Sequence, residues 1–203
     1  MQPLQRLYDR FGNEVCLFPL EYMNVSNPEH QELAIDFLGW DSHGRVYNCQ
    51  CYAPFTGEVH SLGNSHSMIY WSSQRVRFVD GSLDYITILV AHSETAPPPV
   101  GTQIIQGQNW YHTGNYASGG DVSHGDHLHF EIARGHVSWD QSGTHLENPE
   151  HLYNVVAVND TVIVDGEGYD WKEYEGQITP TINERKRFNW PVFTNKIRKR
   201  RLQ

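Results

Sequence analysis

The stretch "SHGDHLHFEIARG", residues 123–135, constrains this chain more than any other. Leu128, Phe130 and Ile132 alternate there with His127, His129 and Glu131. Only an extended strand sends alternate side chains to opposite faces. Such a strand buries one face in a core and holds two imidazoles and a carboxylate on the other. Neighbours on one face stand roughly 6–7 Å apart along a strand, so one zinc does not easily bind both histidines. A metal held by one, and a water held by the other, suits the spacing.

The rest of the chain must supply a core for that strand. Its 203 residues suggest one domain with appendages, and 38% hydrophobic and 12% aromatic residues are enough to bury. Tyr, Trp, Thr, Val and Gly are abundant, which favours strands and turns. "ELAIDFLGW" reads as an apolar strand containing Asp36, and "RVYNCQCYAPFTGEVHSLG" as two strands around a turn at Pro54 to Gly57. Residues 66–94 alternate well enough for two or three strands, with a hairpin-type turn at Asp80-Gly81. "ETAPPPVG" is a stiff connector, and "LENPEHLYN" a closing helical turn. The expectation is an all-β, mostly antiparallel sheet forming an open groove. It divides into an extension (1–20), a main domain (21–155) and a C-terminal appendage (156–203).

Charge divides the chain unevenly. Residues 185–201 hold eight of the 15 Lys and Arg and no acid; the seven left face 24 Asp and Glu, so residues 1–184 carry about −17. The acidic body argues against nucleic acid as the main ligand. The basic tail suits an anionic wall polymer or a partner protein, or packs on its own acidic body. No apolar run reaches the ~20 residues of a membrane span. The start, "MQPLQRLYDRFGNEV", lacks the pattern of a secretory signal. Cys16, Cys49 and Cys51 are an odd number and read as buried reduced thiols, although Cys49 and Cys51 share a strand face that can join a metal site. No catalytic cysteine is expected.

A zinc hydrolase needs three protein ligands, an open position for water and a group that moves protons. "NPEHQELAIDF" offers His30 and Asp36, the latter a carboxylate inside an apolar strand that needs a cation or hydrogen-bond donors. "DYITILVAHSE" is an apolar run ending at His92, a strand that delivers a polar group to the end of a sheet. The Gly-rich segment 114–125 lets backbone approach a site closely. Each has a plainer reading: a turn-capping carboxylate, a hydrogen-bonded histidine, a surface loop.

In this order, "HQELAIDF", "YAPFTGEV", "ITILVAH", "VGTQIIQGQ" and "SHGDHLHFEI" resemble the lysostaphin-type zinc metallopeptidases, which cleave peptide bonds of bacterial peptidoglycan. The resemblance covers roughly residues 22–150. It implies one Zn²⁺ held by His30, Asp36 and His129, with water at the fourth position. It implies His92 and His127 as unliganded catalytic histidines, and Tyr22 as a group that helps stabilise the transition state. Zinc lowers the pKa of bound water toward about 7, and a neutral histidine accepts its proton.

The first motif departs from the family, because five residues, Gln31 to Ile35, separate His30 from Asp36 instead of three. Glu32 and Asp41 are the alternative ligands. "SNPEHQELAIDF" also resembles the first zinc motif of the VanY-like D-Ala-D-Ala carboxypeptidases, one residue short and without its Gly. That rival leaves "APFTGEV" and His92 unexplained.

The remaining histidines, His43, His60, His66, His112, His136, His145 and His151, share no spacing and read as ordinary ones, while His124 is a candidate for the groove rim. Glu131 either orients a ligand from behind or makes a salt bridge. A wall hydrolase without a secretion signal points to a phage product, made in the host cytoplasm. It would reach the wall after holin release, as an endolysin, or from the virion tail, with tail proteins as partners. A catalytically weak binding or virion structural module of the same fold is the alternative.

Overall fold

The computed structural model describes residues 13–164 apart from short gaps at 15, 18, 21–22, 28, 42, 79, 118–119, 122–124 and 156–161. Tyr22, His124 and the basic tail lie outside the described residues. Among the described residues a nine-stranded sheet dominates. Its strands are β1 (Met23–Asn27), β2 (Ile35–Leu38), β3 (Gly57–Leu62), β4 (Met68–Ser72), β5 (Ile86–Ala91), β6 (Gln103–Ile104), β7 (Leu128–Arg134), β8 (Pro149–Glu150) and β9 (Val162–Val164). The order across it is β6-β3-β4-β5-β7-β2-β1-β9, with β8 pairing β7 beyond the end of β2. All pairs are antiparallel except β1 with β9, so the fold is all-β and mostly antiparallel.

Residues 66–94 form four strands rather than two or three. Val76–Arg77 and Leu83–Asp84 make a small hairpin around Asp80-Gly81, between β4 and β5. Gly81 takes φ 86°, and the Asp80 carboxylate caps the turn by accepting from the Ser82 N–H at 2.8 Å. The helical segments among the described residues are two 3-10 turns, Gln31–Leu33 and Leu152–Asn154. No helix among the described residues is long and apolar enough to cross a membrane.

Period two decides what each face does. Ile35 and Phe37 of β2, Ile86, Ile88 and Val90 of β5, and Leu128, Phe130 and Ile132 of β7 enter one large core. A two-stranded ribbon, Gln50–Tyr52 with Asn109–His112, covers it with Cys51, Trp110 and Tyr111. Burying a side chain of this size contributes about 1.5–3 kcal/mol. Cys16, Cys49 and Cys51 are buried free thiols. On the opposite face Ile69, Leu89, Ala91, Ala133 and Leu146 make a smaller cluster. Asp36 of β2, with His129 and Glu131 of β7, shares that second face, and there the sheet opens into a cleft of about 610 Å³.

Candidate metal and catalytic site

The β2–β7 ladder sets Asp36 directly opposite His129. On the other side of β2, a register shift in β1 sets Asn27 opposite Asp36. Asn27 Nδ2 donates to Asp36 Oδ2 at 3.3 Å, and His30 Nε2 lies 3.7 Å from the same oxygen. Asp36 Oδ1 meets His129 Nδ1 at 3.1 Å and His127 Nε2 at 3.9 Å. One carboxylate, only 8% exposed, thus faces three imidazoles. Burial acts to raise the Asp36 carboxyl, but the His129 hydrogen bond and the nearby imidazoles outweigh it and hold it below its usual value.

The long spacer before Asp36 folds out of the way. The His30 N–H donates to the Ala34 carbonyl at 3.0 Å, and the Leu33 N–H to the His30 carbonyl at 3.0 Å. The loop between closes through left-handed backbone at Glu32 (φ 54°) and Leu33 (φ 58°). His30 therefore reaches Asp36 despite the five intervening residues. Glu32 is exposed, and neither it nor Asp41 belongs to a cluster of ligand atoms among the described residues.

Two further histidines close the cleft. His92 follows β5 with a backbone φ of 77°, held by its N–H to the Ser65 carbonyl at 3.1 Å. Its Nδ1 lies 2.9 Å from the Tyr116 carbonyl, and His127 Nδ1 lies 2.8 Å from the Gly125 carbonyl. A carbonyl only accepts, so each Nδ1 carries a proton, and the neutral form of either ring has its lone pair on Nε2. The two rings stand 4.8 Å apart. Burial takes the His92 imidazole down to about 4, with the Tyr116 carbonyl opposing and the other imidazoles adding, so it stays neutral across the physiological range.

Gly114 makes that approach possible. It exchanges both backbone hydrogen bonds with His127, and a Cβ on it would stand 2.2 Å from the His92 carbonyl oxygen. The Gly-rich segment is therefore a spacing element at this residue, as close backbone approach requires.

Behind His129 lies a second carboxylate. Glu131 Oε1 accepts from His129 Nε2 at 2.9 Å and from His145 Nδ1 at 2.6 Å, and Oε2 accepts the Leu146 N–H at 2.9 Å. His145, ordinary by its sequence context, lines the cleft instead. Nothing in its spacing announces this, because a folded-back loop brings it there. Burial acts to lower the His129 imidazole, but hydrogen bonds to Asp36 and Glu131, and their charges, raise it to about 9.

Ligand atoms cluster in two overlapping groups, His30/Asp36/His129 and His129/Glu131/His145. Ligands 2.0–2.1 Å from a tetrahedral zinc stand about 3.3 Å from one another. The 3.1 and 3.7 Å separations around Asp36 suit an ion, and the donor set of two imidazoles and one carboxylate suits zinc. The 2.6 and 2.9 Å contacts around Glu131 are shorter than that spacing and are hydrogen bonds.

No family model matches the chain. Among characterised proteins it is 31% identical over 176 residues to "Morphogenesis protein 1" of Bacillus phage B103, which covers 79% of the chain. The chain spans 45%, about half, of that relative's length. Among solved structures it is similar to the catalytic domain of the antimicrobial peptidase lysostaphin from Staphylococcus simulans, with TM-score 0.39 and 17% identity over 71% of this chain and 87% of that one. It is also similar to the M23 metalloprotease pseudoalterin, with TM-score 0.44 and 16% identity over 77% of this chain and 85% of that one.

Proposed function

We propose that this chain is a zinc-dependent endopeptidase that cleaves peptide cross-links or stem peptides of bacterial peptidoglycan. One observation carries the reading: two histidines whose Nδ1–H groups are committed to backbone carbonyls, His92 and His127, converge beside His30, Asp36 and His129 in an open cleft. His30, Asp36 and His129 would hold one Zn²⁺, which when bound supplies Lewis acidity toward a water and a peptide carbonyl. The chain's own residues do the rest. His127 or His92 accepts a proton at Nε2 from the attacking water, and the same ring, now protonated, gives that proton to the leaving amine. The carbonyls of Tyr116 and Gly125 hold both rings in the tautomer this requires. Tyr22 is proposed as a further transition-state contact.

Digestion of purified sacculi of several cross-bridge chemotypes, with and without chelator, tests this by mass analysis of released fragments. Chelator-sensitive release of peptide fragments is expected. Sacculi that stay intact in every chemotype would defeat it.

The name of the phage relative supports a second reading, a part in virion morphogenesis, with hydrolysis subordinate to assembly. A chain truncated after Val164 keeps β9 and removes the basic tail, which is proposed to contact an anionic wall polymer or tail proteins. If that chain digests sacculi normally yet fails to enter virions, the tail is a docking element.

A further inference from the structure

Glu131 is a carboxylate with no exposed side-chain surface, and among the described residues its ion-pair partners are two imidazoles. Its three hydrogen bonds, from His129, His145 and the Leu146 N–H, use both oxygens. His145 sits at the end of a tightly closed loop. Asp140 accepts from the Ser142 hydroxyl and from the Thr144 and His145 N–H groups, and its own N–H donates to the His145 carbonyl at 2.8 Å. The loop then returns to β7 through Leu146, which is buried in the smaller core cluster. His145 is thus held on both sides, by its loop and by Glu131, and it borders the cleft.

Such an arrangement has a physical consequence for His129. An imidazole presents one nitrogen to a metal only if the other keeps its proton and the ring cannot swing. Glu131 accepts from Nε2, which leaves Nδ1 toward Asp36. The Leu146 N–H holds Glu131 by Oε2, and His145 adds a second tie at Oε1, the oxygen that faces His129.

We propose that His145 and Glu131 are a positioning pair for His129, His145 fixing the Glu131 carboxylate and Glu131 fixing the His129 ring with Nδ1 toward the ion. This rests on the reading of His30, Asp36 and His129 as the metal site. Outer partners of this kind change metal affinity about 10–100-fold.

The test uses the full chain and reads zinc affinity by chelator competition, together with the visible spectrum of the Co²⁺-loaded protein. His145→Ala should keep one ion, bind it about 10–100-fold more weakly, and shift the Co²⁺ bands. His145→Asn, whose amide N–H can stand where Nδ1–H stood, should recover most of the affinity. Wild-type affinity and an unchanged spectrum in His145→Ala would overturn the proposal. So would loss of the ion as complete as in His129→Ala, which would make His145 a ligand itself. Should His145→Ala fail to fold, long-range ¹H–¹⁵N correlations of His129 in the zinc-loaded wild type decide: a protonated Nε2 supports the pair, and an unprotonated one overturns it. His30→Ala tests the underlying site separately, because undiminished zinc affinity there would remove the metal reading whatever His145 does.

Discussion

The cleft is built from two kinds of position, and they behave differently. Asp36, His129 and Glu131 stand on strands, locked by ladder registers such as Asp36 opposite His129. His30, His92 and His145 stand on loops, each held by local devices: a closed 3-10 turn, a left-handed residue, an aspartate-capped turn. Strand positions owe their geometry to a nine-stranded sheet and its cores, so single substitutions nearby shift them little. Loop positions owe theirs to one or two contacts, so small changes move them. The proposed ligands draw on both kinds, Asp36 and His129 on strands and His30 on a loop, while the proposed proton transfer depends on the loop that brings His92 up to His127.

The largest expected effect separates those roles. His129→Ala should lose zinc and turnover together, whereas His127→Ala should keep zinc, by elemental analysis, and lose about 10²–10⁴-fold in turnover. Equal zinc content and activity in His129→Ala and wild type would end the assignment. Gly114→Ala comes next. Its Cβ would drive the His92 backbone away from His127, costing roughly 1–3 kcal/mol in thermal or urea unfolding and cutting turnover while leaving zinc affinity near normal. A variant with wild-type turnover would show that the His92–His127 spacing is not needed.

The metal-free protein should also report on His129. Its folded-state pKa of about 9 exceeds the ordinary value of 6.5, so its contribution to stability is fully present below pH 6.5 and is lost as pH rises through about 9. Thermal unfolding of chelated protein between about pH 6 and 10 should show that fall, and Asp36→Asn should flatten it. His92 works in the opposite sense: with its pKa taken down to about 4, stability should decline as pH falls from 6.5 toward 4. The smallest effect is at the loop before Asp36. Glu32→Gly relieves left-handed backbone at an exposed residue, so stability should stay within about 1 kcal/mol of wild type, on the stable side. Zinc affinity should not change, and a fall would make Glu32 a ligand.

Legibility in the sequence follows the same division. Period-two alternation in "HLHFEIA" is enough to mark the core face and the polar face of β7, and the apolar setting of Asp36 marks a carboxylate in need of partners. His30 and His92 are marked by their flanking motifs, since a loop histidine has no period of its own. His145 carries no such mark. It lies 14 residues beyond Glu131, and the "DQSGTH" turn signals a loop without signalling where the loop returns. The five-residue spacer is legible only as an irregularity, because its remedy is a hydrogen bond between His30 and Ala34 that no composition announces.

By itself, then, the sequence determined the extended backbone of β2 and β7, the apolar face of each, and the face on which Asp36, His129 and Glu131 stand, because side-chain alternation is a local property of extended backbone. Tertiary structure alone decided that Asp36 pairs with His129, that His92 comes within reach of His127, and that Glu131 meets both His129 and His145. Register and loop return are settled by contacts between residues far apart in the chain, and a one-residue slip between β2 and β7 would have turned Asp36 into the core.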